Sequence, residues 1–361
     1  MNDVHHSPVK LTQTVQKGGC AAKLPAGELR QMLAGLEQKR PAELLVGHEK
    51  MDDACAWDLK DGRVLVQTLD FFTPIVDDPF EFGAVAAANS ISDIYAMGGT
   101  PVTAMTILAF PGAKLPLELI RPLMDGALSV LNRAGVALAG GHTIDDETLK
   151  MGFSVSGFVD KNRVWTNAGA KAGDALILTK GLGTGTITAA LKKGAARDEW
   201  VRSAVRSMMQ INDLPGVLGE FDIHAATDIT GFGLAGHSVQ MASASGCGFL
   251  INPDHLPLLM GTEESLRAGF LTRAHTTNRT YTAPKIAWEI SSDAALRWEG
   301  VMREIVVDPQ TSGGLLLSVA PQHASAALAR IKAAGFESAA VVGEVVPQDR
   351  LPQGLSLMFR S

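Results

Sequence analysis

Arg63-Val64-Leu65-Val66-Gln67-Thr68-Leu69-Asp70-Phe71-Phe72, followed by Asp77-Asp78-Pro79 and a run of small residues to Met97, is the stretch that decides the fold. Residues 63–68 are rich in branched apolar side chains and predict a strand that ends at Asp70. Asp77-Asp78-Pro79 predicts a helix start, and Gly98-Gly99 predicts its C-cap. A strand that delivers a carboxylate at its end and turns into a helix belongs to a mixed α and β protein. Within the helix, Asn89 and Asp93 are four apart and share one face among Ala86, Ala87, Ile91 and Ile94. A carboxylate in so apolar a helix must be paired, hydrogen-bonded or bound to a metal, which makes Asp93 a leading candidate.

Upstream, Leu44-Leu45-Val46-Gly47 leads into Lys50-Met51-Asp52-Asp53. On an extended chain adjacent carboxylates face opposite ways, so at most one of Asp52 and Asp53 addresses a given ligand. A plain turn between strands is the alternative. Pro25 to Leu36 predicts a helix, with Leu29, Met32, Leu33 and Leu36 on its apolar side. Before it stands Gly18-Gly19-Cys20-Ala21-Ala22-Lys23. Its glycines loosen the backbone, and Lys17 and Lys23 favour the thiolate of Cys20. The stretch reads either as a reactive Cys20/Lys23 pair on a flexible flap or as a tail with an incidental cysteine.

Downstream, Val102–Phe110 predicts a strand, Leu119–Arg133 an amphipathic helix, and Val136–Ala139 a short strand running into Gly140-Gly141-His142. Glycines after a strand expose backbone N–H groups that can hold phosphate oxygens, although a glycine pair also makes an ordinary turn. Met151–Val159 alternates with period two and closes a first domain. The polar segment Lys161–Gly173 marks a boundary. Beyond it come a buried strand, Asp174–Thr179, and a Gly181-x-Gly183-x-Gly185 turn that matches neither phosphate-binding fingerprint. Helices at Ile187–Lys192 and Glu199–Ile211 follow. Asp228 lies at what reads as a helix start, as a cap or as part of a packed site. The loop Asp308–Gly314, the strand Leu315–Val319 and a last helix and strand, Ala324–Ala334 and Ala339–Val346, complete an α+β second domain.

The chain has 361 residues, enough for two domains, and its 46% hydrophobic and 19% charged content fits a packed globular protein. A net charge of −6 favours neither nucleic acid nor an anionic membrane as a partner. The three cysteines, Cys20, Cys55 and Cys247, form no CxxC pair, and so sparse a set points to a reducing compartment. The start lacks the pattern of a signal peptide, and no apolar run reaches ~18 residues without polar interruption. A soluble cytoplasmic protein is expected.

Taken in order, GGCAAK, MDDA, LDFF, NSISDIYAMGG, LAGGHT, TDITGFGLAGH and DPQTSGGLL resemble the selenophosphate synthetase (selenide, water dikinase) family over nearly the whole chain. The later motifs alone indicate the wider aminoimidazole-ribonucleotide-synthetase-like (PurM-like) superfamily, and the N-terminal Cys/Lys element singles out the selenium enzyme. The resemblance implies a two-domain α+β fold and a homodimer in which N-terminal domains pair into an intersubunit β-barrel. The expected division is 1–48 as an N-terminal segment with the Cys/Lys motif and first helix, 49–160 as the ATP/Mg-binding and dimerisation domain, and 171–349 as the C-terminal domain. It implies Cys20 and Lys23 as catalytic residues, and Asp53, Asp93 and Asp228 as magnesium ligands. Lys23, Lys50, Met51, Asp52, Asp70, Asp93, Gly140, Gly141 and His142 are the implied ATP contacts.

The implied reaction converts ATP, selenide and water to selenophosphate, AMP and phosphate, with Mg²⁺ as cofactor and K⁺ as a further candidate ion. A selenium-delivery protein is a candidate partner. Ala22 stands where some members of the family carry a second cysteine, so a dithiol within the motif is excluded. A purine-pathway synthetase or a thiamine-phosphate kinase does not explain the Gly-Gly-Cys-x-x-Lys element. The hydrogenase-maturation relative is disfavoured by the absence of a cysteine in Leu357–Ser361. A nucleotide-binding regulatory module that has lost catalysis is the reading from another class.

Overall fold

The computed structural model describes residues 9–16, 18–19, 32, 39–290 and 300–361. Cys20, Lys23 and the helix expected at Pro25–Leu36 (Met32 apart) lie outside the described residues. The first half contributes strands β1 (Leu44–Val46), β2 (Cys55–Asp58) and β3 (Arg63–Phe72), helix α1 (Pro79–Ala96), β4 (Thr100–Phe110), α2 (Ile120–Arg133), β5 (Ala137–Asp145) and β6 (Lys150–Asp160). The second half opens with β7 (Ala175–Leu178), α3 (Thr184–Lys192), α4 (Asp198–Met209), β8 (Ile223–Asp228), α5 (Gly233–Ser245) and β9 (Gly248–Ile251). It ends with α6 (Thr262–Arg267), α7 (Arg273–Thr282), β10 (Ile286–Glu289), β11 (Leu315–Val319), α8 (Ala324–Ala333), β12 (Ala340–Val346) and β13 (Leu357–Arg360).

The first sheet runs β1-β2-β3-β6-β4-β5. Its centre is the antiparallel ladder of β3 and β6, from Arg63 opposite Asp160 to Phe72 opposite Met151. Only β4 and β5 pair in parallel. Helix α1 forms where expected, because the Asp78 side chain accepts from Glu81 N at 2.9 Å and Pro79 needs no N–H partner in the first turn. It stops where Gly98 takes φ +75°, a left-handed conformation that glycine adopts without strain. α1 and α2 cover one face of the sheet with their backbones in contact. A Cβ on Gly83 would sit 1.9 Å from Leu123 O, and one on Gly126 would sit 1.9 Å from Phe80 O. The opposite face leaves Leu69, Phe71, Val102, Met105 and Ile144 exposed.

The second sheet runs β10-β13-β9-β12-β7-β11-β8. Leu176 and Leu178 pack into one apolar cluster and Ile177 into another, so both faces are covered. That is why Leu315–Val319 is buried at every position and is apolar except for Ser318, whose hydroxyl donates to Asp174 Oδ2. β13 was not anticipated; it inserts in parallel between β10 and β9. The halves join where Trp200, Ala204, Val205 and Met208 of α4 enter the core of the first half.

Candidate active site

Four segments from the two halves converge at this junction: the end of β3, the middle of α1, the end of β8 and the loop Asp308–Gly314. β8 is paired with β11, which places Asp228 opposite Leu315. Asp228 therefore ends a strand. The helix after it begins only at Gly233 and has no side-chain cap, so the reading of Asp228 as a helix cap is corrected. Asp228 is buried, and its Oδ2 accepts from Ser92 Oγ at 2.7 Å. Ser92 Oγ in turn accepts from Asn212 Nδ2 at 2.9 Å, and the same amide donates to Gly313 O at 2.9 Å.

One helical turn pitch relates Asn89 and Asp93, as the sequence spacing required. Thr68 Oγ1 donates a short hydrogen bond to Asp93 Oδ2. Asn89 Nδ2 donates to Asp70 Oδ2 at 2.7 Å, and Asn89 Oδ1 accepts from Ser312 N at 2.8 Å. Thus α1 presents two functional groups to the same side, one of them orienting Asp70.

Asp53 Oδ1 accepts from Thr227 Oγ1 at 3.0 Å, while its Oδ2 is sealed from solvent and has no hydrogen-bond partner among the described residues. Burial, and then the carboxylates of Asp228 and Asp93, hold the Asp53 carboxyl well above the usual carboxylate range. Asp53, Asp93 and Asp228, which lie far apart in sequence, therefore share one electrostatic centre. Among the described residues no three acidic, histidine or cysteine side chains are already drawn together as metal ligands.

Asp52 and Asp53 lie in irregular backbone before β2 rather than in a strand, and they take different partners. Asp52 Oδ1 accepts from Asn167 N at 2.7 Å, and Asn167 Nδ2 donates to Met51 O at 2.6 Å. Burial raises the Asp52 carboxyl, and the Asn167 N–H opposes that rise. Met51 adopts φ +57°, and Lys50 is exposed beside this clip.

Gly140, Gly141 and His142 are not in a loop. β5 continues through them, pairing Gly140 with Met105, Gly141 with Thr106 and His142 with Ile107. The glycines serve the ladder: Gly140 absorbs a register shift at φ +148°, and a Cβ on Gly141 would sit 2.4 Å from Thr106 O. β5 is the edge strand, three positions from β3, or ~14 Å at normal strand spacing. These three residues are thus not brought to Asp70 within one chain. The turn before α3 is internal: Gln310 Oε1 accepts from Gly183 N at 3.0 Å and Thr184 N at 3.1 Å, and Asp308 Oδ2 accepts from Gly185 N at 3.2 Å.

Sequence reasoning passed over Ser92, Asn212, Thr227 and Lys180. Lys180 follows β7 and is buried, and its Nζ donates to Gln210 O at 2.6 Å and Ser312 O at 3.0 Å. The one signal available was a lysine two residues after the fully apolar strand Ala175–Leu178.

Residues 51–159 match the family described as AIR synthase related protein, N-terminal domain, and residues 171–352 match its C-terminal domain. Among solved structures, thiamine monophosphate kinase from Aquifex aeolicus aligns with a TM-score of 0.62 at 16% identity, over 92% of this chain and 96% of that one. The hydrogenase maturation protein HypE of E. coli aligns with a TM-score of 0.57 at 20% identity, over 81% of each chain. At such identities these likenesses show the two-part α+β fold and no more. The curated relatives are nearer. A selenide, water dikinase of Bdellovibrio bacteriovorus is 49% identical over 94% of this chain and 96% of its own. One of Nitrosomonas eutropha is 47% identical over 97% and 99% respectively. With the motifs, the fold and these relatives in agreement, the chain belongs to the selenide, water dikinase family.

Proposed function

We propose that this chain transfers phosphoryl from ATP to selenide, consuming water and giving selenophosphate, AMP and phosphate. The observation that carries the details of the site is the buried Asp53 oxygen with no hydrogen-bond donor among the described residues, on a carboxyl raised by burial and by the charges of Asp228 and Asp93. Three carboxylates alone would repel one another and ATP, whereas oxygen-only donors suit a hard divalent cation. Asp53, Asp93 and Asp228 would hold Mg²⁺, which when bound would supply neutralisation of phosphate charge.

The remaining residues orient these groups. Thr227 fixes one Asp53 oxygen and leaves the other open, Thr68 fixes Asp93, and Ser92 with Asn212 fixes Asp228. Asn89 holds Asp70 toward the nucleotide, and Asn167 holds the Lys50-Met51-Asp52 turn. Gly19 N donates to Thr73 O at 2.9 Å, and a Cβ on Gly19 would meet Thr311 Oγ1 at 2.9 Å. The chain thus arrives beside Ile75 and the Thr311 side chain immediately before Cys20. In this reading Lys23 neutralises charge developing on the transferred phosphoryl group, and Cys20 positions or delivers selenium.

The exposed apolar face of the first sheet supports a homodimer. Leu69 is 57% exposed and Ile144 is 52% exposed, an unusual density of large apolar groups on one sheet face. Pairing through this face would let Gly140, Gly141 and His142 of one protomer reach the nucleotide of the other. Residues 49–160 and 171–349 act as the two working units, in the reducing cytoplasm. Selenide-dependent AMP formation from ATP under anaerobic conditions, followed by nucleotide chromatography, tests the reading. ADP as the final nucleotide product would contradict it.

A further inference from the structure

Lys180 is 1% exposed, and its ammonium is held by two backbone carbonyls, with no ion pair to a carboxylate among the described residues. Desolvating that charge costs free energy, and a methionine of similar length would fill the space without the cost. Burial pushes the Lys180 amine down to about 7, with Asp228 acting in the opposite direction. Packing alone does not account for a charge here.

What the ammonium grips is the backbone that feeds the aspartates. Ser312 sits at φ +48°, which a residue with a side chain seldom adopts. Its carbonyl accepts from Lys180, and its N–H donates to Asn89, the residue that orients Asp70. Gly313 O holds the Asn212 amide, which leads through Ser92 to Asp228. The second carbonyl gripped by Lys180 belongs to Gln210, two residues before Asn212. The loop is wedged between the strand ends that carry Lys180 and Asp228. A Cβ on Gly314 would lie 2.4 Å from Lys180 N, and one on Gly313 would lie 2.0 Å from Ile229 O.

We propose that Lys180 is a positioning residue for phosphoryl transfer: its buried ammonium clamps Gln210 and Ser312 and so sets the aim of Asn212 on Ser92 and Asp228 and of Asn89 on Asp70. This rests on the reading of Asp53, Asp93 and Asp228 as the cation site. The test compares Lys180→Met and Lys180→Arg in the full chain. One readout is Mn²⁺ binding to metal-free, nucleotide-free protein, followed by electron paramagnetic resonance. The other is steady-state kinetics with selenide and ATP.

For Lys180→Met the expected result is kcat lower by about 30-fold or more, KM for ATP within about threefold, and Mn²⁺ affinity lower by about tenfold. Lys180→Arg, which keeps the charge and the donors, should retain at least about a tenth of kcat and Mn²⁺ affinity within about threefold. Tighter Mn²⁺ binding by Lys180→Met would overturn the proposal, because the charge would then only oppose the cation. Unchanged kcat in Lys180→Met would also overturn it. If Lys180→Met does not fold, Lys180→Arg carries the test, and a larger loss than stated refutes the clamp. Wild-type protein that bound no Mn²⁺ would instead contradict the cation reading, and the kcat comparison would then decide the clamp by itself.

Discussion

Ser92 Oγ donates to Asp228 Oδ2 at 2.7 Å across the junction of the two halves, joining residues 136 apart in sequence. A helix of the first half thereby fixes the carboxylate that ends a strand of the second. Neither half can set this geometry by itself.

Ser92→Ala removes that donor and leaves the Asn212 amide with one partner fewer. Loss of a buried hydrogen bond to a charged group should cost about 1–3 kcal/mol of stability, read from urea unfolding. Activity should fall about 10–100-fold, with a higher Mg²⁺ concentration needed for half-maximal rate. A variant with wild-type Mg²⁺ dependence would show that Ser92 does not orient a cation ligand.

Asp53→Asn should separate stability from function. The Asp53 carboxyl lies well above its usual range because of burial and the two neighbouring aspartates. Its folded-state proton affinity exceeds that of the unfolded chain, so metal-free protein loses stability as pH rises beyond the ordinary carboxylate range. The neutral amide should abolish that loss and raise the metal-free Tm at neutral pH by about 2–4 °C. Turnover should fall by at least about 100-fold. Calorimetry across pH without metal, with paired kinetics, checks both signs.

Asp58 makes the opposite pH prediction. The Lys161 ammonium and the Lys60 N–H lower its carboxyl to about 2. Its stabilising effect is present above the unfolded-state value and is lost as pH falls toward 2. Asp58→Asn should flatten acid unfolding over that range and leave kcat unchanged near neutrality, since the pair lies among β2, Lys60 and Lys161. An acid limb identical to wild type would contradict the assignment.

Met105→Glu or Leu69→Asp places a charge on the exposed sheet face. If this face pairs two protomers, sedimentation equilibrium should show dimer in the wild type and monomer in the variants. Activity should be lost together with the dimer, because Gly140–His142 lie too far from Asp70 to serve the same chain. A fully active monomer would refute the shared site.

The alternation of Met151–Val159 and the capped start at Asp78-Pro79 made β6 and α1 legible, because local side-chain pattern and final burial agree there. The strand Val136–Ala139 reads as ending before Gly140-Gly141, whereas it continues through them, because an exposed edge strand needs no apolar alternation and tolerates glycine where the register shifts. Asp228 reads into the following helix because only the small residues Ala225-Ala226-Thr227 stand directly before it and the chain turns at Ile229–Phe232 without a proline. β13 has four residues, too few for a periodic signal. Asp53, Asp70, Asp93 and Asp228 were legible as candidates because carboxylates stand out in apolar surroundings. Ser92, Asn212 and Lys180 were not, because their roles arise from contacts such as Ser92 with Asn212, made across 120 residues. Cys20 and Lys23 remain a reading of the motif.

The most direct measurement is phosphorus NMR of the purified protein with ATP, Mg²⁺ and selenide under anaerobic reducing conditions, beside a control without selenide. The account predicts selenide-dependent growth of AMP, phosphate and a phosphorus signal split by coupling to selenium. ATP that stays unchanged, or that yields ADP as the final nucleotide with no selenium-coupled signal, would contradict it.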